Sequence, residues 1–284
     1  MLQVPTLQTP MAGITAKKSL GQNFLSDEGI LRRIADAAKV GAGDTVVEIG
    51  PGLGALTKHL LRKDLAKLIA YEVDDRAIDL LRKEFTDPRF ELRHEDILQA
   101  DLSTISNDKL RIVGNIPYYI TSPIIFKLID DRQYTKDALL LVQLEVAERL
   151  TAEPRTKAYG IPTVLTNFFG EVTYLFKVKA GSFRPVPKVD SAVIHINFER
   201  GYFDRSNLTV PLGLDMKDFQ RFVRQVFAMR RKTLRNNLKA FASEEGVGRM
   251  EADAALTQYL GRRAEELLIE DFLKIYQTIT HSSE

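Results

Sequence analysis

Apolar positions along the chain recur with two different periods. Ile30, Leu31, Ile34, Ala37 and Ala38 fall on one face of a helix that Ser26 or Asp27 can cap and that runs to about Lys39. Thr45-Val46-Val47-Glu48-Ile49 is a short β-rich run that stops at glycines. Ala55–Arg62 reads as a helix, Leu68–Glu72 as a second apolar strand, and Arg76–Phe85 as another helix. Further strands are expected at Phe90–Arg93, Arg111–Val113 and Ala138–Val142, with helices at Ser122–Leu128 and Glu145–Leu150. Apolar strands alternating with helices predict an α/β domain built on a mostly parallel sheet.

After Gly160 the pattern changes. Val172–Val178 and Ala192–Phe198 are expected to pair as antiparallel neighbours at the sheet edge. The polar, turn-rich stretch from Glu199 to Gly213 reads as a linker. Beyond it Phe219, Phe222, Val223, Val226 and Phe227 recur at helical spacing, as do Leu234 and Leu238, and later Leu267, Leu268, Phe272 and Ile275. The expected organisation is a flexible arm over residues 1–16, an α/β domain over 17–204 and a small all-helical domain over 205–284.

Composition narrows the function classes. A chain of 284 residues suits one large or two ordinary domains. With 27% charged and 44% hydrophobic residues, neither a disordered nor a membrane class fits. No apolar run approaches the ~18 residues that a spanning helix needs. Cysteine is absent, which removes disulfides, cysteine-ligated metals and thiol nucleophiles, and suits a reducing cytoplasm. Residues Met1 to Ala16 carry no charge and lack the basic start and apolar run of a secretory signal.

Net charge is only +2, which by itself does not announce a nucleic-acid partner. The charge is nevertheless segregated. Between Lys217 and Lys239 eight basic residues face one acidic residue, Asp218. Apolar residues at helical spacing let this segment pack on one side while Arg221, Arg224, Arg230, Arg231, Lys232 and Arg235 meet phosphates on the other. A merely solvated basic face is the competing reading. Lys17 and Lys18 are expected to add to the same phosphate-facing surface.

Two motifs carry chemistry. Glu48-Ile49-Gly50-Pro51-Gly52-Leu53-Gly54-Ala55 joins the first strand to the next helix. Glycines such as Gly50 and Gly52 serve where backbone approaches a ligand closely or takes positive φ, and a helix start offers free N–H groups. Glu72, at the end of the second strand, can accept hydrogen bonds from two ribose hydroxyls. Asp96, just past the third strand, sits where a carboxylate could take an adenine amine. These features point to an adenosine-containing cofactor without choosing which one; with Ala55 they also satisfy the relaxed dinucleotide pattern. A tight strand–helix turn with a surface glutamate is the bland alternative. His94 and His195 lie in strand-like segments and read as structural.

Gly114-Asn115-Ile116-Pro117-Tyr118-Tyr119 follows the fourth strand, at the carboxyl edge of the sheet. An exocyclic amine is a poor nucleophile because its lone pair is conjugated into the base. Hydrogen bonds to the Asn115 side-chain oxygen and to the Ile116 or Pro117 carbonyl would make that nitrogen pyramidal, and Tyr118 would hold the base by stacking. Pro117 stiffens the turn. The set suits methylation of an exocyclic amine by a methyl sulfonium. A proline turn with a packed tyrosine is the alternative.

These residues resemble the small-subunit ribosomal RNA adenine dimethyltransferases of the KsgA type. Seven blocks carry the resemblance: Gly21-Gln22-Asn23-Phe24-Leu25; Glu48 to Gly54; Tyr71-Glu72; Glu95-Asp96; Asn115 to Tyr118; Phe183 to Val193; and Arg230 to Asn237. The resemblance implies a Rossmann-like methyltransferase domain followed by a small helical one. It implies S-adenosylmethionine contacts at Asn23, Leu25, Gly50, Glu72, Asp96 and Asn115, and a flipped adenine sandwiched between Tyr118 and Phe183. The implied activity is dimethylation of two adjacent adenosines in the 3′-terminal hairpin of small-subunit rRNA during subunit biogenesis. The implied partners are the small ribosomal subunit and its rRNA, with no membrane, no metal and a monomeric state.

One departure is Ile116, where these enzymes usually carry leucine and the related antibiotic-resistance (Erm-type) methyltransferases of large-subunit RNA often carry isoleucine. Pro51, Asp190-Ser191-Ala192 and the Arg230–Arg235 block oppose that relative. Two further readings stay open: a ribosome-assembly checkpoint that binds immature small subunits, motivated by the basic segment, and an NAD-dependent enzyme.

Overall fold

The computed structural model describes residues 16–17, 21–206, 214–239 and 244–280. Strand β1 (Phe24–Leu25) leads into helix α1 (Glu28–Ala37). Asp27 caps that helix by accepting from the Gly29 and Ile30 amides at 3.0 and 3.1 Å, which satisfies two donors that a helix start leaves open. There follow β2 (Thr45–Ile49), α2 (Thr57–Leu60), β3 (Lys67–Glu72), α3 (Asp75–Glu84), β4 (Phe90–His94), β5 (Leu110–Asn115), α4 (Thr121–Asp130), β6 (Thr135–Gln143) and α5 (Leu144–Leu150). The chain continues through α6 (Ile161–Phe169), β7 (Glu171–Val178), β8 (Phe183–Arg184), β9 (Ser191–Asn197) and α7 (Tyr202–Ser206). The last helices are α8 (Met216–Val226), α9 (Leu234–Leu238), α10 (Glu244–Ala252), α11 (Ala254–Leu260) and α12 (Ile269–Thr280).

Among the described residues, seven strands form one sheet in the order β4-β3-β2-β5-β6-β9-β7. Strands β4 to β6 pair in parallel, and β9 lies antiparallel between β6 and β7. The expected antiparallel pair is therefore present, with β7 at the edge. The chain passes from β2 outward to β4 and then returns to β5 on the other side of β2. This reversal makes a switch point between the carboxyl ends of β2 and β5, the place where open α/β sheets bind ligands.

The inner parallel strands β2, β3 and β5 are buried on both faces, so Val46, Val47, Leu68, Ile69, Ile112 and Val113 form continuous apolar runs. One face joins a cluster with Val47, Ile69, Ile112 and Leu140. The other joins Val46, Leu68, Val113 and Leu139. The first cluster runs on through α6 into the C-terminal helices, where the Phe168 and Phe219 rings lie 4.3 Å apart and Phe222, Phe227 and Phe272 continue it. In α8 the apolar spacing does what the sequence predicts: Phe219, Phe222, Val223 and Val226 are all buried.

Some expectations change. Helix α2 covers only part of Ala55–Arg62, because residues 52–56 form turns in the glycine loop. Helix α6 and the β1–β8 ribbon have no counterpart in the sequence reading. Leu268 is exposed while Leu267 is buried. The expected linker, from Glu199, contains α7, whose Arg205 donates to the carbonyls of Gly170 and Asn167 at 2.9 and 2.8 Å. The remainder of that linker, residues 207–213, and residues 1–15 of the expected arm lie outside the described residues. No helix among the described residues is long and apolar enough to cross a membrane.

Candidate functional site

A cavity of about 840 Å³ opens at the carboxyl ends of β2, β3 and β5. Its wall brings together Asn23, Leu25, Gly50, Gly52, Glu72, Asp96, Asn115, Pro117 and Tyr118, which come from separate parts of the chain. The glycine loop turns with positive φ at Gly50 (64°), Gly52 (56°) and Gly54 (77°), a region that L side chains rarely enter. The loop is also crowded: a Cβ at Gly52 would stand 3.1 Å from the Phe24 ring. Gly114 belongs to the same packing problem, since a Cβ there would meet the Ile49 carbonyl at 3.0 Å. It lets β2 and β5 close tightly beside the switch point. The sequence reading quotes Gly114 without giving it this part.

Glu72 is buried at the end of β3. Its carboxylate accepts from the amides of Gly52 (3.0 Å), Val73 (2.9 Å) and Asp74 (3.0 Å). The glycine loop and the β3–α3 turn thus hold one carboxylate between them, by charge-assisted bonds. Asp96 caps a short 3-10 turn at Ile97–Gln99 by accepting from the Leu98 amide at 2.9 Å. Glu48 sits beneath the loop with 1% of its surface exposed, bonded to the Thr57 hydroxyl at 2.7 Å. Burial pushes its carboxyl up to about 8; the Thr57 hydrogen bond opposes this and the Glu72 charge adds to it.

Asn115 ends β5. Its Nδ2 donates to the Asn23 carbonyl at 3.2 Å, so the amide oxygen is the end left for a ligand. The Pro117 carbonyl is already engaged by the Ile120 amide at 3.2 Å and the Thr121 hydroxyl at 3.4 Å. The Tyr118 hydroxyl shares a hydrogen bond of 2.8 Å with Ser191 Oγ, which fixes the ring from its outer end. Burial raises the Tyr118 phenol above its ordinary value, so it stays neutral in ordinary buffers.

Phe183 is not on this wall. It pairs with Leu25 in the β1–β8 ribbon and its ring is 0% exposed, packed with Leu25, Val113 and Leu141. The expected aromatic sandwich with Tyr118 is not assembled here; the neighbouring Arg184 and Pro185 line the cavity instead. The reason is register: the ribbon turns Phe183 inward onto the sheet, and two-residue strands carry no periodicity that would reveal it.

The expected RNA contacts divide. Lys17 pairs with Asp74 at 3.2 Å beside the cavity, and Lys18 lies outside the described residues. Arg221 pairs with Asp218, and Arg235 with Glu251. Arg224 lies 4.4 Å over the Phe126 ring. Arg230 donates to the carbonyls of Lys157 and Tyr159, both at 2.8 Å, and pairs with Glu265 at 3.2 Å. It thereby ties the C-terminal helices to the loop before α6. Arg231 and Lys232 are exposed.

A model of the family described as ribosomal RNA adenine dimethylase matches residues 13–281. A ribosomal RNA small subunit methyltransferase A from Chlorobium phaeobacteroides is 42% identical over 94% of this chain and 92% of its own length. The protein of that name from Geobacter metallireducens is 41% identical over 92% and 94%. Among solved structures, a dimethyladenosine transferase from Plasmodium falciparum is similar at 29% identity with a TM-score of 0.72, covering 89% of this chain and 95% of that one. The 23S rRNA methyltransferase ErmE is similar at 27% identity and a TM-score of 0.66, covering 91% and 100%.

Proposed function

We propose that this chain, which belongs to the ribosomal RNA adenine dimethylase family, dimethylates the exocyclic amines of two adjacent adenosines in the 3′-terminal hairpin of small-subunit rRNA during subunit biogenesis. It is an rRNA adenine methyltransferase of Rossmann-like fold, and S-adenosylmethionine is its methyl donor. The residues present fit that donor. Three positive-φ glycines open the β2–α2 turn, a buried carboxylate ends β3, and a second carboxylate follows β4. Glu72 would receive the ribose hydroxyls on the lone pairs its backbone donors leave free, and Asp96 the adenine amine. Gly50, Gly52, Asn23 and Leu25 would line the remainder. When bound, the cofactor supplies an electrophilic methyl on a sulfonium.

The chain's own task is to bring a flipped adenine to that methyl in reactive geometry. The Asn115 oxygen accepts one N–H of the amine. The Ile116 carbonyl accepts the other, since the Pro117 carbonyl already has two donors. Both bonds favour a pyramidal nitrogen whose lone pair points at the methyl. No base is needed beforehand, because the amine sheds its proton after transfer. Tyr118, anchored through Ser191, provides the stacking face. Phe183 would join it only after leaving its buried position, so its part in the sandwich depends on a rearrangement of the β8 turn when RNA binds. Residues 205–284 would be the RNA-contacting domain, with Arg231 and Lys232 among its exposed cations. We place the enzyme in the cytoplasm as a monomer acting without a metal.

The observation that carries this reading is the Asn115 amide held by its nitrogen, with its oxygen left for the substrate. Asn115→Ala should lower methyl transfer to undermethylated small subunits by about 10²-fold or more, with an unchanged circular dichroism melt. Undiminished transfer would overturn the mechanism. The reading that targets large-subunit RNA is favoured by Ile116 and by the likeness to ErmE.

A further inference from the structure

Asp74 lies two residues beyond Glu72, where it caps α3. Its side chain is 0% exposed, an uncommon place for a carboxylate unless it is fully partnered. Its donors come from both sides. Arg76, on its own helix, donates through Nε at 3.0 Å, through Nη2 at 2.6 Å and through its backbone amide at 3.3 Å. Lys17 Nζ at 3.2 Å and Gln22 Nε2 at 2.9 Å reach it from the N-terminal part of the chain, 57 and 52 residues away in sequence. The Arg76 guanidinium, with Gln22 and Lys17, holds the Asp74 carboxyl well below the usual carboxylate range although burial opposes it.

Gln22 is held at both ends of its amide. Its Nε2 goes to Asp74 and its Oε1 accepts from the Lys17 backbone amide at 2.9 Å. The next residue is Asn23, whose carbonyl receives Asn115 Nδ2 at 3.2 Å. An amide side chain has one donor end and one acceptor end, so a partner on the nitrogen decides where the oxygen points. Asp74 itself does not line the cavity.

We infer that Asp74 is a positioning residue for methyl transfer: by holding Gln22 it fixes the Asn23 carbonyl, and that carbonyl turns the Asn115 oxygen toward the target amine. The inference rests on the role given above to Asn115. It also assigns Lys17 to the support of the Gln22 segment through Asp74, rather than to a phosphate. The same turn gives the Val73 and Asp74 amides to Glu72, so one short stretch of backbone supports both the carboxylate meant for the ribose and the segment that orients the amide.

The test is single-turnover methyl transfer on undermethylated small subunits by Asp74→Asn, Gln22→Ala, the double variant and Asn115→Ala, with cofactor affinity measured by calorimetry. Gln22→Ala, at a half-buried site, keeps the test open should Asp74→Asn fail to fold. Asp74→Asn and Gln22→Ala should each lose about tenfold to 10²-fold in the rate of transfer, with RNA KM and cofactor Kd changed less than about threefold. The double variant should lose no more than the worse single one, because both act through one path. Wild-type rates in Gln22→Ala, losses confined to KM or Kd, or losses that add in the double variant would each overturn the inference. If Asn115→Ala itself remains active, the reading of Asn115 fails first. If Asn115→Ala is inactive while Gln22→Ala and Asp74→Asn transfer normally, only the positioning role of Asp74 falls.

Discussion

Glu48 shows what burial does to one side chain in this site. Its carboxyl is raised to about 8 from an ordinary 4.5, first by loss of water and then by the Glu72 charge, against the Thr57 hydrogen bond. The folded chain therefore holds that proton more tightly than the unfolded one. The stability this contributes is complete below about pH 4.5 and is lost as pH rises toward about 8. Glu48→Gln keeps an acceptor for Thr57 and removes the titration. It should flatten this part of the stability curve and melt higher than the parent at pH 8, followed by calorimetry of the unliganded chain; parallel curves for the two proteins would contradict the assignment. At this scale the sequence was legible wherever a residue's part depends on its own strand end. Glu72, Asp96 and Asn115 each follow a readable strand and each reaches the cavity. Phe183 was not legible, because its direction depends on pairing with Leu25, far away in the chain. The Asp74–Gln22 contact was hidden for the same reason.

Among the elements, the parallel strands were the most readable. The inner ones are buried on both faces, so their apolar runs mark where they lie; β2 covers Thr45–Ile49, as the pattern predicts, while β5 and β6 extend beyond their runs and the edge strand β4 is only partly buried. Helix α6 does carry a stripe, Ile161, Val164, Leu165, Phe168 and Phe169 at helical spacing, but at nine residues between Gly160 and Gly170, with Pro162 inside it, the segment is short for a helix and the sequence reading gave it no element. Helix α2 came out shorter than its pattern because the glycine loop consumes the residues before Thr57 in turns. That loop is packed as well as permissive. A Cβ at Gly54 would stand 2.4 Å from the Phe85 ring, at φ 77°. Gly54→Ala should therefore destabilise the fold by about 1–3 kcal/mol through overpacking, with added backbone strain. Urea unfolding checks this; a change below about 0.5 kcal/mol would show that α3 yields freely.

Across the whole molecule, the charge that matters is neither the sum of +2 nor all of the basic segment. Several of its cations serve the fold: Arg230 closes on two backbone carbonyls, and Arg235 on Glu251. The sequence showed that cations cluster between Lys217 and Lys239, but not which of them the protein itself occupies. Arg230→Ala should chiefly lower the melting temperature. Arg231→Ala and Lys232→Ala should each reduce the salt slope of RNA binding by about one ion and leave the melt unchanged; an unchanged slope in both would move the RNA surface elsewhere. The continuous core through α6 joins that surface to the cavity, so RNA held by the C-terminal helices can present a base at the switch point. What the molecule does there is tested most directly by supplying S-adenosylmethionine with a labelled methyl group to undermethylated small and large ribosomal subunits and mapping the label. Label on the exocyclic amines of two adjacent adenosines near the 3′ end of small-subunit rRNA, two methyl groups on each, is the predicted result. Label confined to large-subunit RNA, or absent from adenine amines, would contradict it.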